Sequence, residues 1–128
     1  MIADAIRQAR GMHRAVMEQT YDGTCTVYEV RRVRNPGTKA MEETEEEVFS
    51  NVPCHLSFSG SSAVGKSDPA APVSQIIKLF LAPEHEIRPG SKLVVAQNGR
   101  TEYYSRSGVP AVYYSHQEIT LELWKERA

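Results

Sequence analysis

The sequence predicts a mainly β fold, a small six-stranded antiparallel β-barrel or sandwich preceded by one N-terminal α-helix. Three observations predict it. Apolar residues follow helical spacing as far as Glu18, and after Gly23 the pattern changes to extended runs. Turn signals then recur at short spacing: Asn35-Pro36-Gly37, Arg88-Pro89-Gly90, Asn98-Gly99 and Ser107-Gly108-Val109-Pro110. Strands do not alternate with helical segments, which excludes a parallel, doubly wound sheet. A chain of 128 residues suits a single domain, with the helix over 1–20 and the β-barrel over 21–124.

Each element has its own justification. From Ile2 to Glu18, Ile2, Ala5, Ile6, Ala9, Val16 and Met17 lie mostly at helical spacing, with Arg7, Arg10 and Arg14 on the other faces. Such a helix either packs on a sheet edge or serves as an arm for a partner. Thr24–Arg34, rich in Thr, Val and Tyr, reads as the first strand. In Val48–Phe58 the residues Val48, Val52, Cys54, Leu56 and Phe58 share one parity, so one face points inward. Ser59–Pro72 is a stretch of 14 residues without periodicity and reads as a long loop. Val73–Leu81 is apolar enough for a central strand. Lys92–Ala96 and Arg100–Ser105 flank Asn98-Gly99, a dipeptide suited to the positive φ angles of a two-residue hairpin. Ala111–Leu123 reads as one long closing strand. The inward parity predicts a core of Val52, Cys54, Leu56, Phe58, Ile77, Leu79, Leu93, Val95, Ile119 and Leu121.

Composition narrows the function. Lys plus Arg number 15 against 16 Asp plus Glu, a net charge of −1, which argues against a general nucleic-acid coat. No apolar run approaches a membrane span, and the first twenty residues lack a signal-peptide core. Cys25 and Cys54 are too few for a disulfide framework and fit a reducing compartment. A soluble intracellular domain without membrane contact is expected.

One motif resembles an enzyme's. Gly60, Gly65, Lys66 and Ser67 match the phosphate-binding pattern GxxxxGKS letter for letter. That chemistry needs a helix starting at the lysine, whose free N–H groups attract the phosphates. Pro69 and Pro72 follow within a turn and a half, and proline inside a helix costs about 3 kcal/mol. No later apolar strand ends in an aspartate to hold magnesium. The match is therefore read as chance, and no cofactor is expected. Metal-ligand spacing is also missing among Cys54, His13, His55, His85 and His116, because Cys54 and His55 have opposite parity. A cysteine nucleophile needs a base and an orienting group that the sequence does not single out, so no catalytic residue is expected and the chain is read as a non-enzyme.

The charges are more informative. Glu42, Glu43, Glu45, Glu46 and Glu47 are five acids in six positions, and Arg31, Arg32, Arg34 and Lys39 form a basic cluster upstream. The acidic run alone suits a solvated edge that discourages aggregation. Alternatively, the two clusters face each other across a hairpin closed at Asn35-Pro36-Gly37, or they meet between neighbouring subunits of a ring. Arg31, Arg32, Arg34, Glu43, Glu45, Glu46 and Glu47 are accordingly the candidate interface charges.

The second half carries a resemblance. Ile87-Arg88-Pro89-Gly90-Ser91-Lys92-Leu93-Val94-Val95 leads to Asn98-Gly99 and Tyr103-Tyr104-Ser105. Ser107-Gly108-Val109-Pro110-Ala111-Val112-Tyr113 and His116-Gln117-Glu118-Ile119 follow. With Val52-Pro53-Cys54-His55-Leu56-Ser57 and Gln75-Ile76-Ile77-Lys78-Leu79-Phe80-Leu81 upstream, this resembles the small head-closure (stopper) and minor capsid proteins of tailed phages and Gram-positive prophages, the XkdH/YqbH-like group. The resemblance covers roughly residues 21–124.

The resemblance implies a β-barrel assembled as a homo-oligomeric ring, commonly a dodecamer, between the portal-adaptor and the tail. It also implies a virion location after assembly in the bacterial host's cytoplasm, and transient non-specific contact with packaged DNA. A loop between two strands would line the channel. Ser59, Gly60, Ser61, Ser62, Ala63, Val64, Gly65, Lys66, Ser67 and Asp68 are the positional candidates for it. The alternative is a small β-barrel adaptor or tail-terminator protein of another phage-like tail machine.

Overall fold

The computed structural model describes residues 2–61 and 74–125. Helix α1 spans Ile2–Gln19, and seven strands follow: β1 Gly23–Arg34, β2 Met41–Ser61, β3 Ser74–Leu81, β4 Lys92–Gln97, β5 Arg100–Arg106, β6 Ala111–Val112 and β7 Gln117–Leu123. All strand pairs are antiparallel. The sheet order is β3-β2-β1-β4-β5-β7-β6, and β3 also pairs with β7, so six strands close into a ring. Closure removes the edges within the ring, leaving those of the β1 and β2 extensions beyond it.

The interior of the ring is the core: Cys25, Val27, Cys54, Leu56, Leu79, Leu81, Leu93, Val95, Tyr104, Ile119 and Leu121, with Ile87 added from the loop before β4. Seven of these were expected from parity. Leu81, Cys25, Val27 and Tyr104 join them because every strand of a closed ring turns one face inward.

Three expected core residues lie elsewhere. The β1–β2 register slips between Cys25 and Val27 and again between Val27 and Tyr28, and Asn51 takes a φ of 52°. Its N–H is received by Thr26 Oγ1 at 3.1 Å. This bulge reverses the parity of β2 before Asn51, so Phe49 packs on the core while Val48 is exposed; Val52, next to the bulge, keeps its parity but is only half-buried. Phe58 keeps the inward parity but is 52% exposed, lying with Leu56, Val95 and Tyr104 at one mouth of the ring. Ile77, the third, is partly buried against the core.

The expected closing strand is two strands. Tyr113 N–H donates to the His116 carbonyl at 2.8 Å, and Ala111 and Val112 fold back on Glu118 and Gln117. His116 fixes the reversal by bonding Ser115 Oγ at 2.9 Å and Glu118 Oε2 at 3.0 Å. Another difference concerns the long loop. β2 continues through Ser59, Gly60 and Ser61, which pair with Ile76, Gln75 and Ser74. The connection is therefore shorter at its start than expected, because these small residues are held in a ladder with β3.

One side chain stands in where a strand partner is missing. β1 begins at Gly23, opposite Cys54, so Leu56 has no β1 residue beside it. The Gln97 amide takes that place, accepting from Leu56 N–H at 2.7 Å and donating to its carbonyl at 3.2 Å. Gly23 makes room here, since a Cβ would lie 2.9 Å from the Ala96 carbonyl oxygen. Gly23→Ala is expected to cost about 1–3 kcal/mol, as overpacking against rigid backbone does. Urea unfolding measures it, and an unchanged midpoint would contradict the close approach.

Helix α1 rests on the ring without entering the core, and none of its residues is buried. It is held by Arg14, whose Nη2 reaches Glu84 at 2.6 Å, by Arg10 over the Tyr114 ring at 4.6 Å, and by half-buried Met17. Ile2, Ile6, Met12 and Val16 remain exposed, so the helix lies on the ring through a few contacts and buries no apolar face there.

Candidate functional site

The two charge clusters fall on one structure. Beyond Tyr28, β1 has no partner in β4, and before Cys54, β2 has none in β3. The two strands continue together as a ribbon from Tyr28↔Glu47 to Arg34↔Met41. Its tip is an Asx turn: Asn35 Oδ1 accepts from Gly37 N–H at 2.8 Å and Thr38 N–H at 3.3 Å, and Lys39 takes a φ of 59°. Residues 31–34 and 41–48 are exposed along both strands.

The ribbon is polarised across its width. β1 carries Arg31, Arg32 and Arg34, and β2 carries Glu42, Glu43, Glu45, Glu46 and Glu47. Within the chain, Arg31 lies 3.3 Å from Glu46 and Arg32 lies 3.8 Å from Glu43. Glu45 turns to Lys92 at 3.1 Å. Arg34 and Glu47 have no ion-pair partner among the described residues. Exposed pairs of this kind are worth about 0–1 kcal/mol each, so they align the strands without locking them.

The root of the ribbon was not legible beforehand. A cleft of about 440 Å³ lies between Val30, Arg32, Glu43 and Glu45 on one side and Pro89, Gly90, Lys92 and Trp124 on the other. Lys92 Nζ sits 4.9 Å from the Tyr103 ring centre and 5.8 Å from that of Trp124. These contacts join residues far apart in sequence, and the only signal for them was an isolated tryptophan near the C-terminus.

The remaining candidates separate. Of the channel-loop set, Ser59, Gly60 and Ser61 are strand residues, while Ser62, Ala63, Val64, Gly65, Lys66, Ser67 and Asp68 lie outside the described residues. Gly60 and Ser61 enter an antiparallel hairpin with β3. A phosphate-binding loop instead joins a strand to a helix in a parallel sheet. No helix among the described residues is long and apolar enough to cross a membrane. Among the described residues no three His, Cys, Asp or Glu side chains gather as a metal-ligand set.

Cys54 points inward and His55 outward, where His55 Nδ1 meets Asp22 at 2.8 Å and holds that carboxyl below its usual range. Burial pushes the Cys54 thiol up to about 12 and that of Cys25 higher still. A thiolate is the reactive form, so neither cysteine is expected to react with a disulfide reagent at pH 8 until the chain unfolds. Comparing labelling rates with and without denaturant checks this. Rapid labelling of the native protein would contradict the buried placement.

No protein-family model matches the chain, and no curated protein matches it. Among solved structures, the chain is similar to the phage-like element PBSX protein xkdH from Bacillus subtilis. The two share 10% sequence identity at a TM-score of 0.48, over 78% of this chain and 91% of that one.

Proposed function

We propose that this chain is a structural subunit of a phage or prophage particle, forming the ring that closes the DNA-filled head and receives the tail. The observation that carries the reading is the ribbon. A two-stranded hairpin exposed on both faces is marginal alone, and this one also leaves Val33, Met41 and Val48 about half exposed. Such an element is made to be completed by a neighbour.

The residues that resemble head-closure proteins support the choice of assembly. They lie in β2, β3 and β4 to β7, and the turn signals of the second half serve as turns: Gly90, Asn98, Gly99 and Gly108 all take positive φ, at 83°, 54°, 76° and 76°. In this reading the subunit is built in the host cytoplasm, joins portal-adaptor and tail proteins, and touches packaged DNA only transiently. Its near-neutral charge suits that last task, because a wall dense in Lys and Arg would bind phosphates tightly.

The role needs no chemistry. Calorimetric titration of the protein with Mg-ATP is expected to show no binding, and micromolar affinity lost in Lys66→Ala would overturn that part. The function itself is tested by deleting the coding sequence from the phage or prophage that carries it. The expected result is heads that lose their DNA and remain without tails. Normal particles would overturn the proposal, and filled heads beside tails of uncontrolled length would move the chain to the tail.

A further inference from the structure

We infer that the ribbon joins copies of this chain head to tail, the basic outer edge of β1 in one copy pairing with the acidic outer edge of β2 in the next. This rests on the reading of the chain as a ring subunit, and adds which surface closes the ring and why it closes in one direction.

Both edges have unused main-chain groups. Among the described residues, β2 is paired on its outer side only from Cys54 onward, which leaves Met41–Pro53 without a strand there, and β1 is paired with β4 only as far as Tyr28. The loop containing Arg88, Pro89 and Gly90 lies beside Glu29, Val30 and Arg31, and Arg88 contacts Glu29 at 3.7 Å. The open stretch of β1 therefore runs from about Arg31 to Arg34, a short docking edge. An added strand gains ladder hydrogen bonds along such an edge.

Charge selects the partner edge. Two β2 edges brought together set Glu43, Glu46 and Glu47 against their own copies, and two β1 edges do the same for Arg31, Arg32 and Arg34. Like charges directly across strands are destabilising, whereas opposite charges stabilise. A two-fold dimer through one edge is thus opposed, while the basic-on-acidic contact is favoured. Alternation places Arg31 and Glu46 on one face and Arg32, Arg34, Glu43 and Glu47 on the other, so each face presents both signs. A contact between unlike patches leaves one of each open, and repetition with rotation gives a closed ring. The internal ion pairs do not prevent this, since they are long and exposed.

Charge reversal on the purified full chain, followed by native mass spectrometry and sedimentation over a concentration series, tests the inference. One variant carries Arg31→Glu, Arg32→Glu and Arg34→Glu. A second carries Glu43→Lys, Glu46→Lys and Glu47→Lys, which leaves Glu45 on Lys92. Each is expected to weaken self-association about a hundredfold, as loss of interfacial charge pairs does. An equimolar mixture of the two restores it as alternating assemblies, because each basic edge again meets an acidic one.

A third variant with all six changes keeps the opposition of charge inside its own ribbon. It is expected to assemble with itself yet stay out of wild-type assemblies. Free mixing of this variant with the wild type would overturn the inference, as would a wild-type chain that stays monomeric throughout. Circular dichroism checks that each variant retains its strand content, and the mixture and the six-fold variant distinguish lost contact from lost folding. The deletion experiment above reads the function separately, so a chain required in particles but indifferent to edge charge would leave that reading standing and remove only this one.

Discussion

Leu79→Ala is expected to lower the free energy of unfolding by about 2–5 kcal/mol, the range for a leucine truncated in a packed interior. Leu79 is fully buried, and its strand is held on both sides, opposite Leu56 in β2 and Ile119 in β7. A ring closed on both flanks cannot easily collapse inward, which places the cost toward the upper part of that range. Denaturant unfolding of the purified protein measures it. A loss below about 1 kcal/mol would show that β3 does not seal the ring, because an edge strand relaxes around a smaller side chain.

The second large effect is expected at Gln117. Its side chain is buried and donates from Nε2 to the Ala82 carbonyl at 2.8 Å and also to the His85 carbonyl. These bonds tie the connection after β3 to the first residue of β7, just where the ring closes. Gln117→Leu preserves most of the volume and removes both donors. Leaving a desolvated acceptor unsatisfied costs about 1–3 kcal/mol; the Ala82 carbonyl keeps the His85 N–H at 3.4 Å, so the loss falls mainly on the His85 carbonyl. The same variant should speed hydrogen exchange in β7 near Gln117 more than in β4 or β5. Equal protection throughout would mean that the connection is held by other contacts, such as Arg106 Nη1 donating to the Ile87 carbonyl at 2.7 Å.

The contrast between Leu79 and Val48 explains what the sequence could convey. Alternation alone brings Cys54, Leu56, Leu79, Leu93, Val95, Ile119 and Leu121 inward, because a regular strand has period two and the ring has one interior. Val48 and Val52 fail at a bulge whose causes, Asn51 at positive φ and Thr26 across the ladder, lie on different strands. Phe58 fails because burial depends on how far neighbouring strands extend, not on parity. The turn at Tyr113–His116 contains neither Gly nor Pro and is stabilised by His116 instead, so no local signal marks it.

The candidate surface was legible in part for the same reasons. The charges announce themselves, and Asn35-Pro36-Gly37 announces the reversal that sets them opposite one another. That β2 starts at Met41, well before the apolar alternation, was hidden because strands seldom consist of consecutive glutamates. Only pairing with an arginine-rich strand makes it reasonable. The Lys92 and Trp124 contacts at the ribbon's root depend on β5, which pairs with both β4 and β7 and brings the end of β7 near the start of β4.

Copy number in purified particles separates a ring subunit from a shell or tube protein. Particles from the strain encoding the chain are digested and the peptides quantified against isotope-labelled standards. One ring per particle is expected, about a dozen copies at a fixed ratio to the portal protein. Absence from the particles, or the hundreds of copies typical of a shell or tube protein, would contradict it.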